Sequence, residues 1–415
     1  MRKYIIAVSF IVMAGLKPAV ADVLCVQSRL DALGYSTGLP DGVLGNNTNS
    51  AAKAYLESVQ TKLPKLSRKT SAEWCSELAT KTANLPGFMT DVPPGIELFD
   101  YTNASFCRVQ SILAPPISLV IDRKHKKLIS ALKWFNSAIS TAKARPEEAK
   151  IVAEMLEELA SFKAFVKLSW RGNGSSPAHW QTNLLKNIAF AVNVVDHHSG
   201  WQPGKRSIVV DWGDKVYSNS HYTAWGRKQS QRWPDTIAAA AAAYISWGVV
   251  APNSTALAEG RKDYHKVARL LRKKGGTRSY HGSRKYLKGM PKNWGTRLED
   301  KTLGDLVIAA HVAGRKKIDL FNHAPSGTSL YEAIVGWQNT LFENNGKAVK
   351  GEDLSFLATD GEERSWSWTE YFIFNYPNDP RTAILRDKSE KIKKSDWSGF
   401  GYRGRATGPS TCLFR

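Results

Sequence analysis

Trp233-Pro234-Asp235-Thr236-Ile237-Ala238-Ala239-Ala240-Ala241-Ala242-Ala243-Tyr244-Ile245-Ser246-Trp247-Gly248-Val249 sets six consecutive alanines between aromatic residues. Alanine is the strongest helix former, and a helix apolar on every side belongs in a core. Outward from it, the same period recurs. Leu128 to Lys143 and Pro146 to Val166 are amphipathic helices, His179 to Val195 is a more apolar one, and Thr302 to Ala313 and Ser329 to Phe342 supply two more. Arg171 to Pro177 is a loop between two of them, and long strand-period alternation is nearly absent. Many helices of this length joined by substantial loops predict an all-α chain, a helical repeat or toroid rather than a four-helix bundle.

Residues 1–21 read as a secretory leader. Arg2 and Lys3 open it, Ile5 to Leu16 form its apolar stretch, and Ala19-Val20-Ala21 offers a small-residue cleavage site. No later segment approaches ~20 uninterrupted apolar residues. The expectation is therefore an exported chain without an integral membrane segment, periplasmic or secreted. Four cysteines in an oxidising compartment predict disulfides, and pairing Cys25 with Cys75 and Cys107 with Cys412 is the favoured one of three connectivities. No Cys-x-x-Cys or His-x-x-x-His spacing supports a zinc site.

The formal charge of the 415 residues is +21, and removal of the leader takes away only Arg2, Lys3 and Lys17. An exported basic protein invites an anionic partner: acidic polysaccharide, wall polymer, anionic lipid or nucleic acid. Fourteen tryptophans and fourteen tyrosines favour carbohydrate among these, because flat rings stack on sugars.

Residues 22–79 form a small helical module. Val26, Leu30 and Leu33 share one helical face, Gly34 stops that helix, Pro40-Asp41-Gly42 turns the chain, and Asn47 or Thr48 caps a second helix through Ala51 to Val59. A third helix, from Leu63 to Cys75, completes the unit. Val26-Gln27, Leu30, Leu33-Gly34-Tyr35, Asp41-Gly42-Val43, Gly45, Thr48 and Ala51 together resemble a peptidoglycan-binding-like domain. That resemblance implies a wall- or glycan-binding unit without a catalytic role. A linker covers residues 80–101, broken by Pro86-Gly87 and Pro93-Pro94-Gly95.

In the remainder, residues 102–415, the blocks Asn219-Ser220-His221-Tyr222, Leu303-Gly304-Asp305-Leu306 and Trp368-Thr369-Glu370-Tyr371 follow one another, and through them the segment resembles the alginate lyase family, whose fold is an incomplete ring of paired helices, an (α/α) toroid. Asn219-Ser220-His221-Tyr222-Thr223-Ala224-Trp225 is similar to the family's Asn-Asn-His-x-Tyr-Trp segment. Leu303 to Ala313, then Asp319-Leu320-Phe321 and Gly327-Thr328-Ser329-Leu330, resemble its helix and following turn. Trp368-Thr369-Glu370-Tyr371 with Tyr376-Pro377 resembles its late Trp-x-Glu-x-Tyr block, and Gly408 to Phe414 its closing segment. The blocks fall in the right order over some three hundred residues.

The resemblance implies β-elimination on a 1,4-linked uronic acid polymer, with no cofactor. Asn219 then suits the substrate carboxylate, and His221 the abstraction of the C5 proton. Three departures from the family pattern bear on the rest of the site. Ser220 replaces the second Asn, and Tyr222 stands one place early. Anchoring on Leu303 puts Trp294 where the family has an Arg and Lys301 where it has an acidic Tyr. Arg297, one turn later, is the chosen second carboxylate clamp. Tyr222 and Tyr280 are rival acids, and Trp225, Arg278, His281 and Lys301 are expected substrate contacts.

Other constellations are weaker. Asp196-His197-His198 invites a metal, but adjacent histidines on a helix diverge, so a hydrogen-bonded loop or sugar contact is expected. Arg261 to Lys288 is dense in Lys and Arg, yet no nucleic-acid motif accompanies it; it reads as a solvated face or a rim guiding a polyanion. Glu157 and Glu158 read as solvent-facing charge on a helix, and no Gly-x-Ser-x-Gly elbow occurs.

Overall fold

The computed structural model describes residues 23, 25–27, 29–30, 33, 35, 37, 43–59, 63–82, 97–102, 125–166, 177–202, 204–222, 234–277, 294–342, 368–394, 412 and 414. The leader, Cys107, Trp225, Arg278, Tyr280 and His281 lie outside the described residues. The chain divides into two compact units, Met1–Thr82 and Ala83–Arg415.

In the first unit the described residues between Val23 and Leu30 are helical, followed by α1 (Asn46–Val59) and α2 (Ser71–Thr82). The expected third helix therefore begins at Ser71 rather than Leu63. Val26, Leu30, Ala51, Tyr55, Trp74 and Leu78 make its core, and a Cys25–Cys75 disulfide joins the first helix to the last. Closing a loop of this length restricts the unfolded chain by about 3–4 kcal/mol. The buried Gln27 amide donates to the Val43 carbonyl at 3.0 Å and to Thr48 Oγ1 at 2.9 Å, fixing the turn before α1.

In the second unit no strand occurs among the described residues. The helices are α3 (His125–Ala144), α4 (Ala149–Ser161), α5 (Pro177–His197), α6 (Lys205–Tyr222), α7 (Pro234–Val250), α8 (Ser254–Ala268), α9 (Trp294–Gly314), α10 (Leu330–Leu341), α11 (Trp368–Asn375) and α12 (Ala383–Lys394). The alanine-rich α7 is the hub: it packs against α5, α8 and α9, and all six alanines are buried. A side chain of one carbon lets three helix backbones approach one rod, which larger residues would hold apart.

Four helices escape a reading by apolar period: α6, α8, α11 and α12. In α6, α8 and α12 charged residues interrupt the apolar period, and α11 is only eight residues long. The second expected helix ends early, because Lys163 and Phe165 take φ of 50° and 58°. Glu157 is largely covered and pairs with Lys205 at 3.4 Å, so it does not face solvent freely.

The end of the expected linker joins this core. Leu98 and Phe99 are buried in it, and the Leu98 carbonyl meets His311 Nε2 at 2.7 Å. Asn375 Nδ2 lies 2.9 Å from the other ring nitrogen, Nδ1. Both nitrogens are thus occupied, and burial, with the Arg315 charge adding to it, pushes the His311 pKa down to about 3. Phe414, Tyr371 and Phe374 surround the ring edge-on. Cys412 is disulfide-bonded, and its carbonyl accepts from Lys143 Nζ.

Asp196 and His197 finish helix α5 rather than forming a loop. Asp196 accepts from Arg206 at 2.7 and 2.8 Å and from the Trp201 indole at 2.6 Å. His197 stacks on Tyr101 with ring centroids 3.6 Å apart and pairs with Glu97 at 3.2 Å. Among the described residues, no group of three or more His, Cys, Asp and Glu is placed to hold a metal ion, and no helix is long and apolar enough to cross a membrane.

Candidate active site

Asn219, Ser220, His221 and Tyr222 are the last four residues of α6. They close that helix. At 100° per residue, positions 217 and 221 share one face of α6, and 219 and 222 share another. Ser220 is buried; its hydroxyl donates to the Tyr217 carbonyl at 2.8 Å and to the Tyr244 hydroxyl at 3.4 Å. The Tyr217 and Tyr244 rings meet edge to face at 5.1 Å. A short hydroxyl therefore docks the end of α6 onto α7. Asn219 is half-buried and donates from Nδ2 to the Lys215 carbonyl at 2.9 Å.

Two other expected residues, Arg297 and Lys301, fall on α9. Positions 297, 301 and 305 succeed one another at four-residue spacing and form one stripe. Lys301 Nζ lies 2.9 Å from Asp235 Oδ2 in the first turn of α7. Asp305 Oδ1 lies 3.2 Å from Lys186 Nζ of α5. The Lys186 and Asp305 side chains are 2 % and 0 % exposed, so this pair is wholly inside the protein. Burial pushes the Lys186 pKa down, and the Asp305 carboxylate pulls it back.

Next to Lys301 in the chain, Asp300 Oδ1 accepts from the indoles of Trp337 and Trp368, each at 3.3 Å. Glu299 accepts from the backbone and hydroxyl of Thr277 at 2.6 and 2.9 Å. Each carboxylate of the α9 stripe and its flanks is thus committed to a neighbouring element. They hold the helix in place.

Of the expected site residues, α6 brings Asn219, His221 and Tyr222 together in one turn, and α9 brings Arg297 and Lys301 one turn apart. Lys301 is engaged by Asp235, and so acts as a fixed cation. Asp235, Lys186 and Asp305 were not singled out by sequence. The available signal was Lys186 itself, a lysine inside the apolar run Leu184-Leu185-Lys186-Asn187-Ile188, since a buried cation needs a partner.

The second unit is an all-α protein of the (α/α) toroid class. Among solved structures the chain is similar to alginate lyase A1-III from Sphingomonas species A1, with a TM-score of 0.54, 14% identity, and 96% of this chain and 99% of that chain covered. A Tyr-to-Phe variant of alginate lyase A1-III complexed with tetrasaccharide matches with a TM-score of 0.54 and 14% identity over 96% of this chain and 98% of that one. A His-to-Ala variant complexed with tetrasaccharide gives 0.52 and 15% over the same shares. No protein-family model matches the chain, and no curated protein matches it in sequence.

Proposed function

We propose that this chain is an exported polysaccharide lyase that cleaves a 1,4-linked acidic (uronate) polysaccharide such as alginate by β-elimination. The observation that carries the reading is the fold likeness, over 96% of the chain, to alginate lyase A1-III in complex with tetrasaccharide. The charge of +21 suits an anionic polymer. The tyrosine and histidine substituted in those complexes are the two residue types the reaction needs for acid and base.

In this reading Asn219 and Arg297 neutralise the C5 carboxylate, which acidifies the neighbouring C–H. His221 takes the C5 proton, the released electron pair forms the C4=C5 double bond, and the C4–O4 bond breaks. Tyr222 or Tyr280 returns a proton to the departing O4. Trp225, Arg278, His281 and Lys301 contact neighbouring sugars. The leader sends the chain to the periplasm or medium, and residues 22–79 hold it on peptidoglycan or another glycan.

The mature protein is incubated with a panel of polyuronates and followed by the ultraviolet absorbance of the unsaturated product. The expected outcome is product on at least one polymer and a loss of about 10²–10⁴ in rate for His221→Ala with an unchanged melting temperature. Absence of product on every polyuronate overturns the reading. A second reading, a catalytically weakened polyanion binder, is motivated by Lys301, bound to Asp235, at the family's tyrosine position. Tight polymer binding without product, unaffected by His221→Ala, selects it.

A further inference from the structure

Beyond the end of α8 the chain reads Arg269-Leu270-Leu271-Arg272-Lys273-Lys274-Gly275-Gly276-Thr277, four cations in six residues followed by two glycines. This segment is a tight reversal. Leu271 and Thr277 form an antiparallel bridge, the Gly275 amide donates to the Arg272 carbonyl at 2.8 Å, and the Arg272 amide to the Gly276 carbonyl at 3.2 Å.

Three independent contacts hold it. Gly275, at φ +86°, lies so close to α10 that a Cβ there would stand 2.4 Å from the Trp337 backbone. Thr340 Oγ1 of α10 donates to the Lys274 carbonyl at 2.5 Å. Thr277, fully buried, binds Glu299, two residues before Lys301 on α9. The reversal is therefore fixed to the same helix turn that carries Arg297 and Lys301.

Its charges differ from those just before it. Within α8, Lys262 pairs with Glu259 at 3.8 Å and Lys266 with Asp263 at 2.7 Å. Arg269, Lys273 and Lys274 are exposed, and no carboxylate among the described residues pairs with them. Arg272 is half-buried, with an Nε that is shielded from water and has no hydrogen-bond partner among the described residues. A backbone held rigidly keeps these unneutralised cations at a fixed place on the surface, where they can meet an external polyanion.

We infer that the reversal at residues 269–274 is an outlying cationic subsite for the polyuronate chain, which grips carboxylates of sugars beyond the reacting pair. This rests on the lyase reading and adds a selection for long chains, whose further carboxylates the subsite would engage.

The test compares the intact protein with the variant Arg269→Ala/Lys273→Ala/Lys274→Ala in affinity electrophoresis on polymannuronate, polyguluronate and polyglucuronate gels, and in binding of a trisaccharide. A control of equal charge loss, Lys150→Ala/Lys163→Asn/Lys316→Ala, lies elsewhere on the same unit. The expected result is a five- to tenfold weaker polymer affinity for the first variant at roughly 20 mM salt. The gap closes near about 0.5 M, where charges are screened beyond a few ångströms. Trisaccharide binding stays unchanged, and the control remains within about twofold of the parent. Equal binding by parent and first variant, the same loss in the control, or a gap that persists at high salt each overturns the subsite. If the parent cleaves polyuronate and the first variant binds as it does, only the subsite falls. If the parent neither binds nor cleaves any of the three polymers, the lyase reading falls with it.

Discussion

The two halves of α9 use buried polar groups in opposite ways. From Glu299 to Asp305 the helix carries four acidic or basic side chains, and every one is answered by a partner on another element: Thr277, the two indoles, Asp235 and Lys186. From Leu306 to Ala313 it is apolar except for His311, whose neutral ring is saturated by a backbone carbonyl and an amide. The first half fixes charge beside the candidate site. The second uses an imidazole as uncharged packing. A histidine in a family-like block is therefore not by itself a catalytic group; whether its nitrogens are already occupied decides.

The largest effect that can break this contrast is at Lys186. Lys186→Met leaves Asp305 charged and buried without its cation, and a loss of about 3–5 kcal/mol is expected in urea denaturation. The double replacement Lys186→Met/Asp305→Leu should recover most of it. A single variant as stable as the parent would show that the charged half holds nothing.

Next is the pH dependence of the apolar half. The folded His311 pKa is about 3, against about 6.5 in an unfolded chain. Below about pH 6.5 the unfolded state takes a proton that the folded state refuses. Stability should fall toward about pH 3 by up to ~1.4 kcal/mol per unit. Asp319 works against it. Burial raises its folded pKa to about 6, so its contribution is complete below the unfolded value of about 3.9 and is lost as pH rises toward 6. Urea midpoints across this range should fall less steeply for His311→Gln and more steeply for Asp319→Asn. An unchanged profile in His311→Gln would mean that the ring is already protonated in the fold.

Smaller again is the junction of the halves. A Cβ on Gly304 would stand 2.7 Å from Trp368 Cδ1, so Gly304→Ala should cost about 1–3 kcal/mol by overpacking, read as a lower melting temperature. The smallest change is at Asp235. The Lys301 and Asp235 side chains are 19 % and 10 % exposed, and Asp235→Asn, which keeps an amide oxygen for Lys301, should cost about 1–2 kcal/mol. It should also strengthen polyuronate binding, because Lys301 then meets the polymer without a competing carboxylate; weaker binding would remove Lys301 from the substrate contacts.

Much of this was legible without coordinates. The alanine run of α7 reads as a buried helix because its apolarity has no polar face to turn outward. Cys25 and Cys75 bracket a short module, and they are joined. The helix end at Asn219 to Tyr222 was not legible, since α6 contains Gly213 and a run of Ser, Asn and His whose local preference is for turns and caps. Its helicity comes from the buried residues Val209, Trp212, Val216 and Tyr217 packed in the core. Likewise, nothing near Lys301 in sequence announces Asp235, 66 residues away.

The sequence by itself determined the all-α class, the basic character and the family-like order of blocks, because each depends on composition or on spacing along the chain, and it favoured the first module's disulfide among three connectivities. Only the tertiary structure decided which charges are fixtures, which imidazole is packing, and that the cations after α8 are clamped beside α9. Those properties depend on burial and on partners distant along the chain, and a side chain's neighbours in space are set by the packing of the whole.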